Sequence, residues 1–242
     1  MTQKLAHGAK KTTQPDAAPV PVVLFDLDGT LADTAPDLIT ALKQMLIKRQ
    51  MPIPAENKMR DLASHGSRHL IGLGLGIESS EVSEQLREEY FHYYEQGQQL
   101  NTRAFAGIHP LLTSIERQRM LWGIVTAKKQ VFAEQTLRQL RIYPSCMVCP
   151  EHTEHPKPHP QPLLHALELL ERSPEQALYI GDHPYDIQAG KAAGVATVGC
   201  GWGYGLTATD KDQCDFWAES PLDLMPLIEK FAQFANLTDT HR

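Results

Sequence analysis

Val22-Val23-Leu24-Phe25-Asp26-Leu27-Asp28-Gly29-Thr30 sets four apolar residues before two carboxylates one residue apart, followed at once by a glycine. A short unbroken apolar run suits a strand buried on both faces, as in a parallel sheet covered by helices on each side. The stretch therefore predicts a strand whose carboxyl end carries Asp26 and Asp28, and open α/β sheets bind ligands at that end. Carboxylates at i and i+2 can face the same side as the chain leaves the sheet, and Gly29 permits a turn that a side chain would hinder. Two adjacent carboxylates repel each other and raise one pKa unless a cation or hydrogen bonds compensate. The pair asks for a cation.

Downstream of this stretch, Thr34-Ala35-Pro36-Asp37 supplies a capping Thr, an early Pro and an acid in the first turn, so a helix should start there, with Leu38, Ala41, Leu42 and Met45 as its apolar stripe. Helical periodicity continues to Ala106, with Val82, Leu86, Tyr90 and Tyr93 as a second stripe and no convincing strand. The pattern then alternates. Helices are expected around Ile108–Ile115, Val131–Leu140 and Leu163–Leu170, and a short one stopped by Gly194; strands are expected at Leu121–Val125, Met147-Val148, Leu178–Ile180 and Ala196–Val198. Alternation at this spacing implies parallel strands joined by right-handed helical crossovers, a doubly wound α/β layer. The predicted division is a flexible leader over residues 1–19, a core from 20–36 and 107–242, and an all-helical inserted subdomain over 37–106.

Two further strand ends carry chemistry. Thr126 follows Gly123-Ile124-Val125, a hydroxyl beside backbone amides that suits a phosphoryl oxygen, and Asp182 follows Tyr179-Ile180-Gly181 with Asp186 four residues on. Lys157, between Pro156 and Pro158, sits on a rigid connection that could hold its ammonium toward the acids. An all-oxygen donor set suits Mg²⁺, which takes one or two carboxylates plus waters and substrate oxygens.

In this order, Asp26-x-Asp28-Gly29-Thr30, Thr126, Lys157 and Gly181-Asp182-x-x-x-Asp186 resemble the four motifs of the haloacid dehalogenase superfamily of phosphatases, over about residues 22–205. The resemblance implies a Rossmann-like core and a Mg²⁺-dependent phosphomonoesterase in which Asp26 attacks phosphorus to give an aspartyl-phosphate. Asp28 would protonate the leaving alkoxide and then activate water. Asp26, Asp182 and the Asp28 carbonyl would hold Mg²⁺, and Asp186 would bind it directly or through water; as a plain reading, Asp186 could equally cap the following helix. Thr126 and Lys157 would bind the transferring phosphoryl group, with Gly29 and Thr30 beside them.

The helical insert resembles the cap of the superfamily's phosphoglycolate phosphatase branch, which closes over the core. There, His65-Gly66-Ser67-Arg68 is the expected contact loop, because Gly66 frees the backbone and Arg68 could pair with a substrate carboxylate. Leu121–Thr126, Cys149-Pro150-Glu151-His152 and Gly203-Tyr204-Gly205 are similar to members of that branch that hydrolyse N-acetylmuramic acid 6-phosphate. Ala127 is placed with the expected substrate-binding residues, as a departure: the branch usually carries Asn there. A sugar-phosphate mutase and a non-catalytic phosphate-binding protein share the fold and stand as alternatives.

Other readings are weaker. Cys146, Cys149, His152 and His155 fall at three-residue intervals, but structural zinc sites usually space their ligand pairs more widely, so buried thiols and loop histidines are expected. His183 could touch substrate or serve behind it, and Trp202 and Tyr204 are expected to pack. The net charge of −6 provides no basic field for nucleic acid or anionic lipid, and no apolar run approaches a membrane span. With four scattered cysteines and no secretory signal, a cytoplasmic chain with reduced thiols acting on a small-molecule phosphate ester is expected. The sequence does not fix an oligomeric state.

Overall fold

Every side chain of Val22–Phe25 is fully buried, and the four divide evenly between two apolar layers. In the computed structural model, which describes residues 21–97 and 99–239, Val23 and Phe25 pack with Leu111, Ile115, Leu137 and Ile228 on one side of a sheet. Val22 and Leu24 pack with Leu163, Leu167 and Ala189 on the other. Alternation of side chains across a strand is what lets one short run feed both layers. The predicted leader, residues 1–19, lies outside the described residues.

In chain order the elements are β1 (Val22–Phe25), β2 (Ala32–Asp33), α1 (Ala35–Lys48), α2 (Glu56–Asp61), α3 (Ser67–Leu75), α4 (Glu84–Gln96) and β3 (Arg103–Ala104). Then follow α5 (Ile108–Arg117), β4 (Leu121–Val125), α6 (Gln130–Leu140), β5 (Cys146–Val148), α7 (Gln161–Leu169) and β6 (Ala177–Gly181). The chain continues through α8 (Pro184–Ala193), β7 (Ala196–Cys200), β8 (Phe216–Ala218) and α9 (Leu224–Asp239). Six strands form one parallel sheet in the order β5-β4-β1-β6-β7-β8. The chain adds β4 and β5 on one side of β1 and then returns to add β6, β7 and β8 on the other. That reversal opens a crevice at the carboxyl ends of β1, β4 and β6.

Helices α1 to α4 occupy the interval between β1 and β4 and enclose their own apolar layer, in which Leu42, Met45, Leu46, Met59, Leu70 and Tyr90 are buried. Phe132 and Tyr204 reach into that layer from outside it and seat the helical insert on the sheet domain. Where the insert begins and ends, β2 and β3 pair antiparallel, Ala32 opposite Ala104 and Asp33 opposite Arg103. Two-residue strands carry no periodicity, which is why no strand was expected there. β8 and α9 were likewise not anticipated.

Two helical details differ from the sequence reading. The second stripe was traced through Tyr93, yet Tyr90 and Tyr94 are the buried pair of α4; residues four apart share a helix face as well as those three apart. Thr34 stands at the N-cap of α1 with no side-chain cap bond. Asp37, expected to act within the first turn, instead accepts from the Asn101 amide N–H at 3.0 Å, from Asn101 Nδ2 at 3.0 Å and from Thr102 Oγ1 at 2.7 Å. Its charge ties the start of the insert to its end.

Candidate active site

Past β1 the chain turns back on itself within five residues. The Gly29 amide donates to the Ala32 carbonyl at 2.9 Å, and the Ala32 amide to the Leu27 carbonyl at 3.0 Å. Gly29 adopts φ +85°, and a Cβ there would stand 2.3 Å from Asp182 Oδ2, so both conformation and space demand glycine. The turn leaves Asp26 and Asp28 on the wall of one cavity, with Asp26 buried. Thr30 turns the other way and donates through Oγ1 to Asp182 Oδ1 at 2.9 Å. Gly29 and Thr30, expected as substrate contacts, thus back a buried carboxylate and do not line the cavity.

Asp26, Asp182 and Asp186 converge, each buried, with one carboxylate oxygen from each lying within 4.8 Å of the others. Lys157 Nζ stands 3.0 Å from Asp26 Oδ1 and 2.6 Å from Asp186 Oδ1, and also donates to Tyr179 Oη at 2.9 Å. Asp182 Oδ2 accepts from the Tyr204 amide at 2.8 Å. Asp186 Oδ2 accepts from the His183 amide at 3.0 Å, so it does cap α8 while belonging to the acidic group.

Three buried carboxylates gather around one ammonium, which contacts only Asp26 and Asp186 and leaves negative charge uncompensated. Burial pushes the Asp26 carboxyl up to about 7; Lys157 opposes the rise, and Asp186 and Asp28 add to it. Burial raises Asp182 as well, followed by repulsion from Asp26 and Asp186, against the Tyr204 amide and the Thr30 hydroxyl. Asp26 Oδ1, although 3.0 Å from Lys157 Nζ, has no aligned hydrogen-bond donor. An oxygen-only donor set with an orphaned anionic atom and a charge deficit fits a hard divalent cation.

A cavity of about 260 Å³ opens from this cluster toward the helical insert. Asp26, Asp28, Thr126, Ala127, Lys128 and Lys129 line its floor, and His65, Gly66, Ser67, Arg68, Arg87, Phe91 and Tyr94 its roof. The whole His65–Arg68 loop reaches it. The Arg68 guanidinium, however, is bonded to the Val82 carbonyl and to Glu84, and Arg87 Nη1 holds the same Glu84 at 2.8 Å. Thr126 is anchored by its amide to the Val148 carbonyl at 3.0 Å, and its hydroxyl accepts from the Lys128 amide at 3.2 Å.

The family model described as haloacid dehalogenase-like hydrolase matches residues 23–200. The chain belongs to that family. Over 212 residues it is 34% identical to an N-acetylmuramic acid 6-phosphate phosphatase of Pseudomonas putida, covering 86% of this chain and 95% of that one. Over 206 residues it is 35% identical to a phosphoglycolate phosphatase of Xanthomonas campestris, covering 84% and 93%. The fold matches a predicted phosphoglycolate phosphatase from Haemophilus somnus with a TM-score of 0.76 at 23% identity, covering 86% of this chain and 97% of that one. The named relatives are phosphatases of the haloacid dehalogenase-like family, which supports phosphoric monoester hydrolase activity here.

With Arg87, Phe91, Tyr94, Lys129 and Phe132, Lys128 is one of the cavity residues of this haloacid dehalogenase-like site that reading the sequence passed over. Its Nζ lies 3.0 Å from Asp28 Oδ1 and 2.9 Å from Tyr94 Oη. Its position three residues past the end of β4 was the available signal, since strand ends were the places to look. Tyr204, expected only to pack, also donates from Oη to Asp33 Oδ1 at 2.6 Å and accepts from the Thr34 amide at 2.9 Å. His183 is buried against His65 with ring centroids 4.4 Å apart. Burial holds the His183 imidazole neutral, with its pKa lowered to about 4, and it does not line the cavity. Cys146, Cys149, His152 and His155 form no metal-ligating group among the described residues, and all four cysteines are free. No described helix is long and apolar enough to cross a membrane.

Proposed function

We propose that the chain is a Mg²⁺-dependent phosphomonoesterase that works through an aspartyl-phosphate on Asp26. The observation that carries this reading is the pairing of Asp26 Oδ1 with Lys157 Nζ at 3.0 Å beside Asp182 and Asp186, at the floor of a cavity that Asp28 also faces. Asp26, Asp182 and Asp186 would hold the cation, which supplies charge neutralisation to the carboxylates and to the phosphoryl oxygens.

The side chains then divide the work. Asp26 attacks phosphorus; Lys157 offsets its charge and, with the Thr126 hydroxyl, holds the transferring phosphoryl group. Asp28, on the cavity side of the turn, protonates the departing alkoxide oxygen and afterward takes a proton from the water that releases phosphate from Asp26. The roof of α3 and α4 side chains excludes bulk water from the step. A cytoplasmic location accords with the free thiols.

For the substrate, we infer a small acid-bearing phosphate ester. Phe91, Tyr94 and Phe132 line the cavity with rings, and Arg68, Arg87 and Lys129 bring positive charge to it against Glu84. Ring faces suit the body of a sugar, and the guanidinium groups suit a carboxylate. N-acetylmuramic acid 6-phosphate has both a sugar ring and a carboxylate, 2-phosphoglycolate only the latter. Comparing kcat/KM for these two esters tests the substrate: a preference of a hundredfold or more for the sugar phosphate is expected, and the reverse preference would assign the two-carbon acid. Asp26→Asn tests the reaction; Mg²⁺-dependent phosphate release should vanish, and retained turnover would remove Asp26 as nucleophile.

A further inference from the structure

Lys128 is almost fully buried, with a side chain 4% exposed, and its ammonium stands between two partners that belong to different parts of the molecule. On the core side, Asp28 Oδ1 is 3.0 Å away. On the side of the helical insert, Tyr94 Oη of α4 is 2.9 Å away, and the ammonium also lies 4.9 Å from the centre of the Tyr94 ring. The backbone of Lys128 is fixed as well, because its amide donates to Thr126 Oγ1 at 3.2 Å. Tyr94 is itself held, edge-on to Phe132 at 5.0 Å and stacked with Tyr90 at 6.5 Å.

A buried ammonium persists only when paired and hydrogen-bonded. Here the pairing needs both parts at once: α4 supplies the phenol and the ring, and the turn after β1 supplies the carboxylate. Asp28, by contrast, is on the cavity wall with a side chain 17% exposed, and Lys128 is its one ion-pair partner among the described residues. Without that contact, Asp28 Oδ1 would face the cavity unpaired and its χ angles would be free to turn. With it, one carboxylate oxygen is occupied and the other is left for the reacting oxygen and its proton.

We propose that Lys128 is a positioning residue, which holds the Asp28 carboxylate in its working orientation while α4 is seated on the core. It rests on the assignment of Asp28 as proton donor given above. Seating the helical insert then does more than exclude water: it completes the geometry of the acid. A bound ester whose leaving group fits the roof favours the seated state and so arrives at an oriented Asp28.

The test uses leaving groups that differ in their need for a proton. An alkyl phosphate expels a poor leaving group and depends on the acid, whereas 2,4-dinitrophenyl phosphate expels a stable phenolate and hardly does. Because kcat/KM covers only the steps through the first irreversible one, it isolates the transfer to Asp26 from its later hydrolysis. Lys128→Met, which keeps the length of the stem, should lower kcat/KM for the alkyl ester by about a hundredfold, in the range of general acid catalysis. Its loss on the dinitrophenyl ester should be at least tenfold smaller. Tyr94→Phe, which removes only the hydroxyl, should move the same ratio in the same direction by less.

Each variant is judged by the ratio of the two substrates in one preparation, so a partly misfolded sample cancels. Asp28→Asn is measured beside them. A steep dependence on leaving group in Asp28→Asn with equal losses on both esters in Lys128→Met overturns the positioning role and leaves the acid in place, assigning Lys128 to phosphoryl charge or to packing. No leaving-group dependence in Asp28→Asn overturns the acid assignment and the positioning role with it. Matching leaving-group profiles in Asp28→Asn and Lys128→Met establish the proposal.

Discussion

Tyr204 reaches Asp182 and Asp33 from opposite ends of one residue: its amide donates to Asp182 Oδ2 at 2.8 Å, and its hydroxyl donates to Asp33 Oδ1 at 2.6 Å. Asp33 also receives Arg60 Nη2 of α2 at 2.9 Å, and the Arg60 guanidinium lies over the Tyr204 ring at 5.1 Å. A carboxylate of the acidic cluster and the first turn of α1 are therefore joined through a single residue, by its main chain on one side and its hydroxyl on the other. Tyr204→Phe removes the hydroxyl and leaves the amide. It should destabilise the fold by about 1–3 kcal/mol, since the Thr34 and Ala35 amides lose their acceptor in a buried place. Mg²⁺ affinity should hold while kcat/KM falls. Denaturant unfolding and calorimetric Mg²⁺ titration measure the two separately; an equal loss of metal affinity would show that the link to Asp182 runs through the ring.

Burial raises Asp26 from 3.8 to about 7, and the sign of the pH effect follows. Between those values the metal-free fold keeps a proton that the unfolded chain has released, so this group's contribution to stability declines as pH rises through that window. A cation bound to the ionised cluster would offset the decline. The rise in Tm on adding Mg²⁺ should consequently be larger at pH 8 than at pH 5, with EDTA as the reference. The same rise at both pH values would contradict a raised Asp26.

Gly29→Ala places a methyl group into the Asp182 carboxylate and forces a left-handed backbone on a residue that disfavours it by about 1–2 kcal/mol. The turn must shift, and Asp28 and Asp182 move with it. Mg²⁺-dependent turnover should drop by more than a hundredfold, a displacement of about 1 Å being enough for a loss of that order. Circular dichroism should remain that of an α/β fold, because β1 and its layers lie outside the turn.

Arg87 shares Glu84 with Arg68 at the roof of the cavity, with Nε 3.3 Å from Ser67 Oγ. If its guanidinium receives the acid group of the ester, Arg87→Met should raise KM for a carboxylate-bearing ester by about ten- to a hundredfold, the worth of a charge-assisted hydrogen bond. The change for a neutral phosphate ester should be several times smaller. Equal changes for both esters would place the carboxylate elsewhere.

How far the sequence could be read depends on the range of the interactions involved. β1 was legible because burial on both faces leaves an unbroken apolar run, and the acids at its end were legible because strand ends of a parallel sheet converge by topology. Asp26, Thr126, Lys157 and Asp182 needed no knowledge of side-chain packing to be brought to one place. Lys128 and Tyr94 were not legible, since their contact depends on how α4 settles on the loop after β4, and no periodicity encodes that. The Tyr204 hydroxyl meets the Thr34 amide across 170 residues; only the assembled fold defines such a pair. The stripe on α4 was misplaced by one residue for a related reason: Tyr93 and Tyr94 are chemically alike, and which one is covered depends on what lies opposite.

The two-residue pairing of β2 with β3 brings the chain back to where it left, Asp33 opposite Arg103. In architectural terms the sheet domain has one doorway, since the chain leaves it and re-enters it through this single pair of strands. Such an arrangement makes the insert exchangeable: another set of helices with the same two anchoring strands could be spliced in without reordering the sheet or breaking its register. In a scaffold of this kind the helices over the cavity could be replaced as a cassette while the floor formed by the strand ends is kept.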